Sequence, residues 1–159
     1  MANKWQDVIV QLVRLILQDV GTSPTYDDGR LEDVAIGAAH LVLSEISFNY
    51  NYSINIVAGT ITPDPVDNSD TSFINMVSYK AALMILNSEL KTAASKGLLV
   101  KDGPSILDTR QFFTSQKSRY ELMLKEYDKV KLAIKMGDLN AGVAILSPYT
   151  TNDPTYIWR

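Results

Sequence analysis

The chain has 159 residues, enough for one domain that buries roughly 70% of its unfolded surface, and its 46% hydrophobic and 21% charged content is that of a globular protein. It carries no cysteine, which excludes disulfides, thiolate nucleophiles and thiolate metal sites. A net charge of -3 leaves no general basic excess for gripping a phosphate backbone. Trp5, Ile9, Leu12, Val13, Ile16 and Val20 recur at helical spacing and predict a first helix of about five turns, stopped by Gly21. Gln6, Asp7, Gln11, Arg14, Gln18 and Asp19 interrupt this segment, so it is amphipathic and does not span a bilayer. Asn3 and Lys4 lead straight into that mixed pattern, unlike a secretory leader, and the expected compartment is the cytoplasm.

The turn-rich stretch from Ser23 to Arg30 precedes a second helix, which Asp27 or Asp28 can cap. Its apolar positions are Leu31, Val34, Ala35, Ala38, Leu41, Val42 and Ile46, and its small residues allow close helix packing. The period then drops to two. Phe48, Tyr50, Tyr52, Ile54 and Ile56 alternate with polar residues, a strand pattern that can turn at Ala58-Gly59 and return until Pro63 stops it. After a polar connector, Thr71 or Ser72 caps a third helix carrying Phe73, Met76, Val77, Ala81, Met84, Ile85 and Leu90, with Gly97 as its stop. Leu98 to Leu107 reads as a loop around Asp102-Gly103-Pro104. Asp108 or Thr109 then opens a fourth helix with the stripe Phe112 or Phe113, Gln116, Tyr120, Met123, Tyr127, Val130 and Ile134, closed by Gly137. The expected fold is mainly α, a four-helix bundle over residues 1–137 with one β-hairpin at about 48–62 between helices 2 and 3. Residues 138–159 form an extended C-terminal tail.

Motifs for catalysis are sparse. His40, the one histidine, lies in mid-helix without a serine or cysteine nucleophile motif nearby, which favours a structural or interface role. Asp64, Asp67 and Asp70 lack the alternate acidic ligands, glycine and closing glutamate of a calcium loop, and fit a solvated, helix-capping segment better. Gly97 to Gly103 lacks the Gly-Lys-Ser/Thr ending of a phosphate cradle. No catalytic residue, metal ligand or cofactor is expected.

Three features suit partner binding. The fourth helix holds seven basic residues against three acidic ones between Arg110 and Lys135. Lys117, Lys125, Lys129 and Lys131 are either a solvated face, with a pair such as Glu121 and Lys125, or a docking face for an acidic partner. A lone hairpin is marginal in water, so Phe48, Tyr50, Tyr52 and Ile54 must pack either on the chain's own helices or on another subunit. Tyr149, Tyr156, Ile157 and Trp158 place aromatic anchors in a short, proline-broken tail that either folds back on the bundle or docks on a partner.

The segment Tyr26-Asp27-Asp28-Gly29-Arg30-Leu31-Glu32-Asp33 leading into Ala38-Ala39-His40-Leu41-Val42, the Phe48 strand followed by Pro63-Asp64-Pro65, and Phe73 followed by Lys80-Ala81-Ala82 carry a family likeness. In this order of elements, over most of residues 24–136, the chain resembles the small head-to-tail connector (adaptor) proteins of tailed bacteriophages. The resemblance implies a virion protein made in the host cytoplasm. It implies a closed homo-oligomeric ring, on the order of twelve copies, between the portal protein and the next neck or tail protein. DNA would pass through its channel without specific binding, and no membrane would be involved. The C-terminal residues would reach the portal, and the hairpin would meet a neighbouring subunit or tail component. The well-developed hairpin and the hydrophobic first helix depart from the shorter members of that group. Two other classes remain open: a helical DNA-packaging or DNA-binding regulatory subunit, which wants a basic recognition helix, and a small helical enzyme, which wants convergent polar groups.

Overall fold

The structure, a computed structural model, describes residues 4–95, 99–102, 105–108 and 110–138, with side chains at 4–95 and 113–137. Helix α1, Trp5–Leu17, turns Trp5, Ile9, Val10, Val13 and Leu17 inward. It is shorter than the five turns expected from its periodicity, because Gln18 adopts a left-handed conformation at φ 61°. Its N–H bonds Leu15 O at 3.1 Å while Asp19 N–H bonds Arg14 O at 2.9 Å, closing the helix as a Schellman-type pair. Asp19 then organises the turn. Its carboxylate accepts Arg14 Nη1 at 3.0 Å, Thr25 N–H at 2.8 Å and Tyr26 N–H at 3.3 Å. These bonds displace Val20 from the apolar face and leave it exposed.

Helix α2, Asp28–Glu45, starts where Asp27 accepts Gly29 N–H at 3.1 Å, which makes Asp27 rather than Asp28 the cap. Arg14 Nη2 reaches across from α1 to Asp28 at 2.5 Å and to the Tyr26 carbonyl at 2.8 Å. Ala35, Ala38 and Ala39 are fully buried on α2, where their small side chains bring the backbone close to its neighbours. Strands β1, Ser53–Asn55, and β2, Thr60–Thr62, form an antiparallel hairpin with Ile54 opposite Ile61. The ladder is shorter than the expected 48–62. Pro63 follows β2 and has no N–H to continue it, while Phe48 and Tyr52 turn instead onto Phe73.

Helix α3, Thr71–Ser95, is capped by Asp70 rather than by Thr71 or Ser72: Asp70 Oδ1 accepts Phe73 N–H at 3.0 Å. Phe73, Ile74, Met76, Val77, Ser78, Ala81, Ala82, Leu83, Ile85 and Leu86 are all buried, on most sides of the helix, with Asn75 exposed among them. Helices α1, α2 and α4 all pack against it. The segment expected to be a loop forms a second hairpin, β3 Leu99–Asp102 with β4 Ser105–Asp108. The strands pair from Leu99 with Asp108 to Asp102 with Ser105. Helix α4, Arg110–Asp138, lays Tyr120, Met123, Tyr127, Val130 and Ile134 against the core, as its stripe predicts. Among the described residues the architecture is therefore four helices with a small hairpin between α2 and α3, as expected, plus the β3–β4 hairpin.

Phe73 is fully buried, stacks on Tyr52 at 4.1 Å and meets Phe48 edge-on at 5.2 Å. Phe73→Ala should cost about 3–5 kcal/mol, as for other buried aromatic truncations, and loosen the hairpin root. Urea unfolding measures the loss, and a change below 1 kcal/mol would contradict this packing.

Candidate interaction surfaces

One carboxylate ties α4 to both α2 and α3. Glu45, in the last turn of α2, accepts Lys80 Nζ from α3 at 2.5 Å on Oε1. Its Oε2 accepts Lys131 Nζ at 2.6 Å and the Tyr127 hydroxyl at 2.8 Å, both from α4. The two ammonium groups lie 5.1 and 5.9 Å from the Tyr127 ring centroid, within cation–π range. Burial by itself would raise the Glu45 carboxyl, but the hydrogen bonds from Lys131, Lys80 and Tyr127 outweigh it and hold the group at about 2. Burial first, then the Glu45 charge, push the Tyr127 hydroxyl well above its usual range. Sequence reasoning missed this cluster. Its members are scattered over residues 45 to 131, and an alternation of charges on three helices does not announce which will meet.

A second polar knot holds the hairpin root. Asp70 accepts the Tyr52 hydroxyl at 2.8 Å on Oδ2 while Oδ1 caps α3. Asp64 accepts Val66 N–H at 2.9 Å and, at 3.4 Å, Trp5 N–H at the start of α1. Two of the three spaced aspartates therefore cap and brace. Among the described residues no group of three or more His, Asp and Glu side chains gathers as a metal site.

The hairpin residues singled out from sequence divide. Phe48, Tyr52 and Ile54 are half-buried against the chain's own core, with Ile61 fully inside, whereas Tyr50 is exposed. The outward apolar surface moves to the turn, where Ile56 is 56% and Val57 100% exposed. Asn55 Oδ1 stiffens that turn by accepting Val57 and Ala58 N–H at 3.1 and 3.0 Å, and Gly59 closes it at φ 62°.

Of the basic residues on α4, Lys131 is turned inward onto Glu45. Lys129 pairs with Glu126 at 2.7 Å and Lys117 with Glu121 at 3.7 Å, while Lys125 is exposed. The expected Glu121–Lys125 pair is thus replaced by Lys117–Glu121, also four residues apart. The face carries apolar side chains as well: Leu122, Leu132 and Met136 stand exposed beside the lysines. Leu122 belongs to an open groove of about 980 Å³ between α1, α3 and α4, lined by Ile16, Tyr79, Ser118, Arg119 and Met123 among others. Arg119 Nη2 donates to the Leu17 carbonyl at 2.5 Å, placing a cation on the C-terminal end of α1.

His40 is exposed on α2. Tyr149, Tyr156, Ile157 and Trp158 lie outside the described residues. No helix is long and apolar enough to cross a membrane among the described residues. Comparison with protein-family models, with curated proteins and with solved structures finds no match to this chain.

With the folded Glu45 carboxyl at about 2 and its ordinary value at 4.5, its stabilising contribution is complete above pH 4.5 and is lost as the pH falls towards 2. Glu45→Gln should reduce stability at neutral pH by about 1.5–3 kcal/mol, the range for hydrogen bonds to charged groups, and should flatten the acid limb. Urea titrations from neutral pH down to the acid limit test both effects, and an acid limb unchanged by the substitution would contradict them.

Proposed function

We propose that this chain is a structural subunit of the head-to-tail connector of a tailed phage, forming a ring between the portal and the next neck or tail protein. The reading starts from the family resemblance over residues 24–136. The observation that carries it is the projecting hairpin. Residues 46–63 contain no charged side chain in a chain that is 21% charged, and the turn of this segment holds Val57 fully in solvent. A stiff, uncharged, apolar projection is the kind of surface that a permanent assembly covers.

The ring surrounds the DNA channel without gripping DNA. A net charge of -3 and the carboxylate partners of Lys117, Lys129 and Lys131 both oppose phosphate binding. Tyr149, Tyr156, Ile157 and Trp158 anchor the subunit to the portal, and the chain's role is structural, not catalytic. Its site of action is the virion neck.

Electron microscopy of particles carrying labelled protein should place a ring of label at the portal vertex. Deleting Ser147 to Arg159 should remove both the label and tail attachment. Label elsewhere on the particle, or none, would defeat the connector reading. In a separate test, titration of the purified protein with duplex DNA at moderate salt should give no saturable binding, whereas a salt-sensitive isotherm would favour the DNA-binding class.

A further inference from the structure

The connector reading leaves open which surfaces join neighbouring copies. Two features of the described residues match one another in chemistry. The first is the turn of the β1–β2 hairpin, an apolar knob of Ile56, Val57 and Ala58 flanked by Asn55 and Thr60. The second is the groove between α1, α3 and α4, whose apolar side chains are Ile16, Tyr79, Leu122 and Met123 and whose rim includes the hydroxyls of Ser115 and Ser118. Leu122 is 60% exposed there, large for a leucine on a helix facing a cleft.

The hairpin carries no charge. Of the two ionised residues of the groove, Glu126 pairs with Lys129, and Arg119 donates to the neutral Leu17 carbonyl and keeps its charge. An incoming cationic segment would lose hydration there and face the Arg119 guanidinium. An uncharged apolar knob loses nothing of the kind and gains by removing Val57, Ile56 and Leu122 from water, at roughly 25 cal/mol per Å² of apolar surface covered.

The two surfaces lie on different sides of one copy. Strand β1 packs against α2, whereas the groove opens between α1 and α4. The hairpin root at Phe48 faces Val130 and Ile134 of α4, and Ile134 lies about 18 Å along that helix from Leu122 at 1.5 Å per residue. Knob and groove placed apart on one subunit make a heterologous contact, and such contacts generate rings when the rotation between copies closes.

We infer that the hairpin turn of one copy, centred on Val57, inserts into the α1–α3–α4 groove of the next copy, against Leu122, and that this contact closes the ring. The inference rests on the connector reading. Its occupant is a second copy of the chain, and the competing occupant is the chain's own C-terminal segment.

The absence of native cysteine gives a clean test. Particles are made with the full-length protein carrying Val57→Cys and Leu122→Cys together, and oxidised. A ladder of cross-linked multimers that neither single substitution produces is the expected result. Val57→Asp and Leu122→Asp, both at exposed positions, should each weaken self-association at least tenfold while leaving the far-ultraviolet circular dichroism and melting temperature unchanged. Label at the portal vertex with no 57–122 cross-link would overturn the hairpin-to-groove contact and leave the connector reading intact. Label absent from the vertex would remove the connector reading and the contact with it. An intramolecular cross-link between Ile157→Cys and Leu122→Cys, in place of the 57–122 ladder, would assign the groove to the chain's own tail and overturn the inference.

Discussion

Helix α3 has little polar surface between Phe73 and Leu86. Phe73, Ile74, Met76, Val77, Ala81, Ala82, Leu83, Ile85 and Leu86 are buried on most of its circumference with Asn75 the exposed residue among them, and the buried Ser78 turns its hydroxyl back to the Ile74 carbonyl at 2.8 Å. A helix with so little polar surface is stable only when surrounded. That requirement brings α1, α2 and α4 onto α3 and makes the outer three amphipathic by necessity. It also explains the alanines of α2, because three helices can crowd one axis only where some of the contacts are small. The hairpin follows from the same constraint. Phe73 opens α3 at the end of the bundle, and Phe48 and Tyr52 fold down to close that end.

Apolar burial gathers the helices but does not fix their rotation or their ends, since dispersion and water exclusion have no preferred direction. Polar ties do that, and they sit at seams. Arg14 and Asp19 decide where α1 stops and hold the entry to α2. Asp70 joins the cap of α3 to the hydroxyl of Tyr52, so the hairpin root and the helix start form one unit. Glu45 gathers one lysine from α3 and a lysine and a tyrosine from α4. Each of these carboxylates is partly withdrawn from water with several donors around it, and removing the acceptor would leave those donors facing one another. The outcome for function is a bundle tied across its seams that leaves Ile56 and Val57 exposed at the hairpin turn and Leu122, Leu132 and Met136 exposed on α4.

The division of labour between core and surface also changes what the hairpin is for. The alternating residues Phe48, Tyr52 and Ile54 look like one binding face in sequence, yet they pack mainly on the chain's own core. The outward apolar surface is displaced to Ile56 and Val57, at the turn, where an Asn55 side chain and a left-handed Gly59 stiffen the backbone. A similar displacement occurs on α4. Lys131 has the sequence context of a surface lysine and is drawn inward, whereas Leu122, Leu132 and Met136 remain outside.

Period and punctuation in the sequence by themselves determined four helices, a hairpin between the second and third, a cap for α2 at Asp27 or Asp28 and the core stripe of α4. These are local properties: a helical or strand period is written in neighbours a few residues apart, and a cap needs only a side chain beside its own backbone. The β3–β4 hairpin is equally local, pairing Asp102 with Ser105, but Asp102-Gly103-Pro104 read as loop. Tertiary structure alone decided the rest. Where α1 ends depended on Asp19 meeting Arg14 and the amides of Thr25 and Tyr26. Which acid gathers the cations of the bundle depended on Glu45 lying opposite Lys80 and Lys131, and which apolar side chains stay in water depended on how far each helix is covered. Ion pairing and burial are set by distance in space, and residues 45, 80 and 131 acquire a distance only when the helices around α3 have packed.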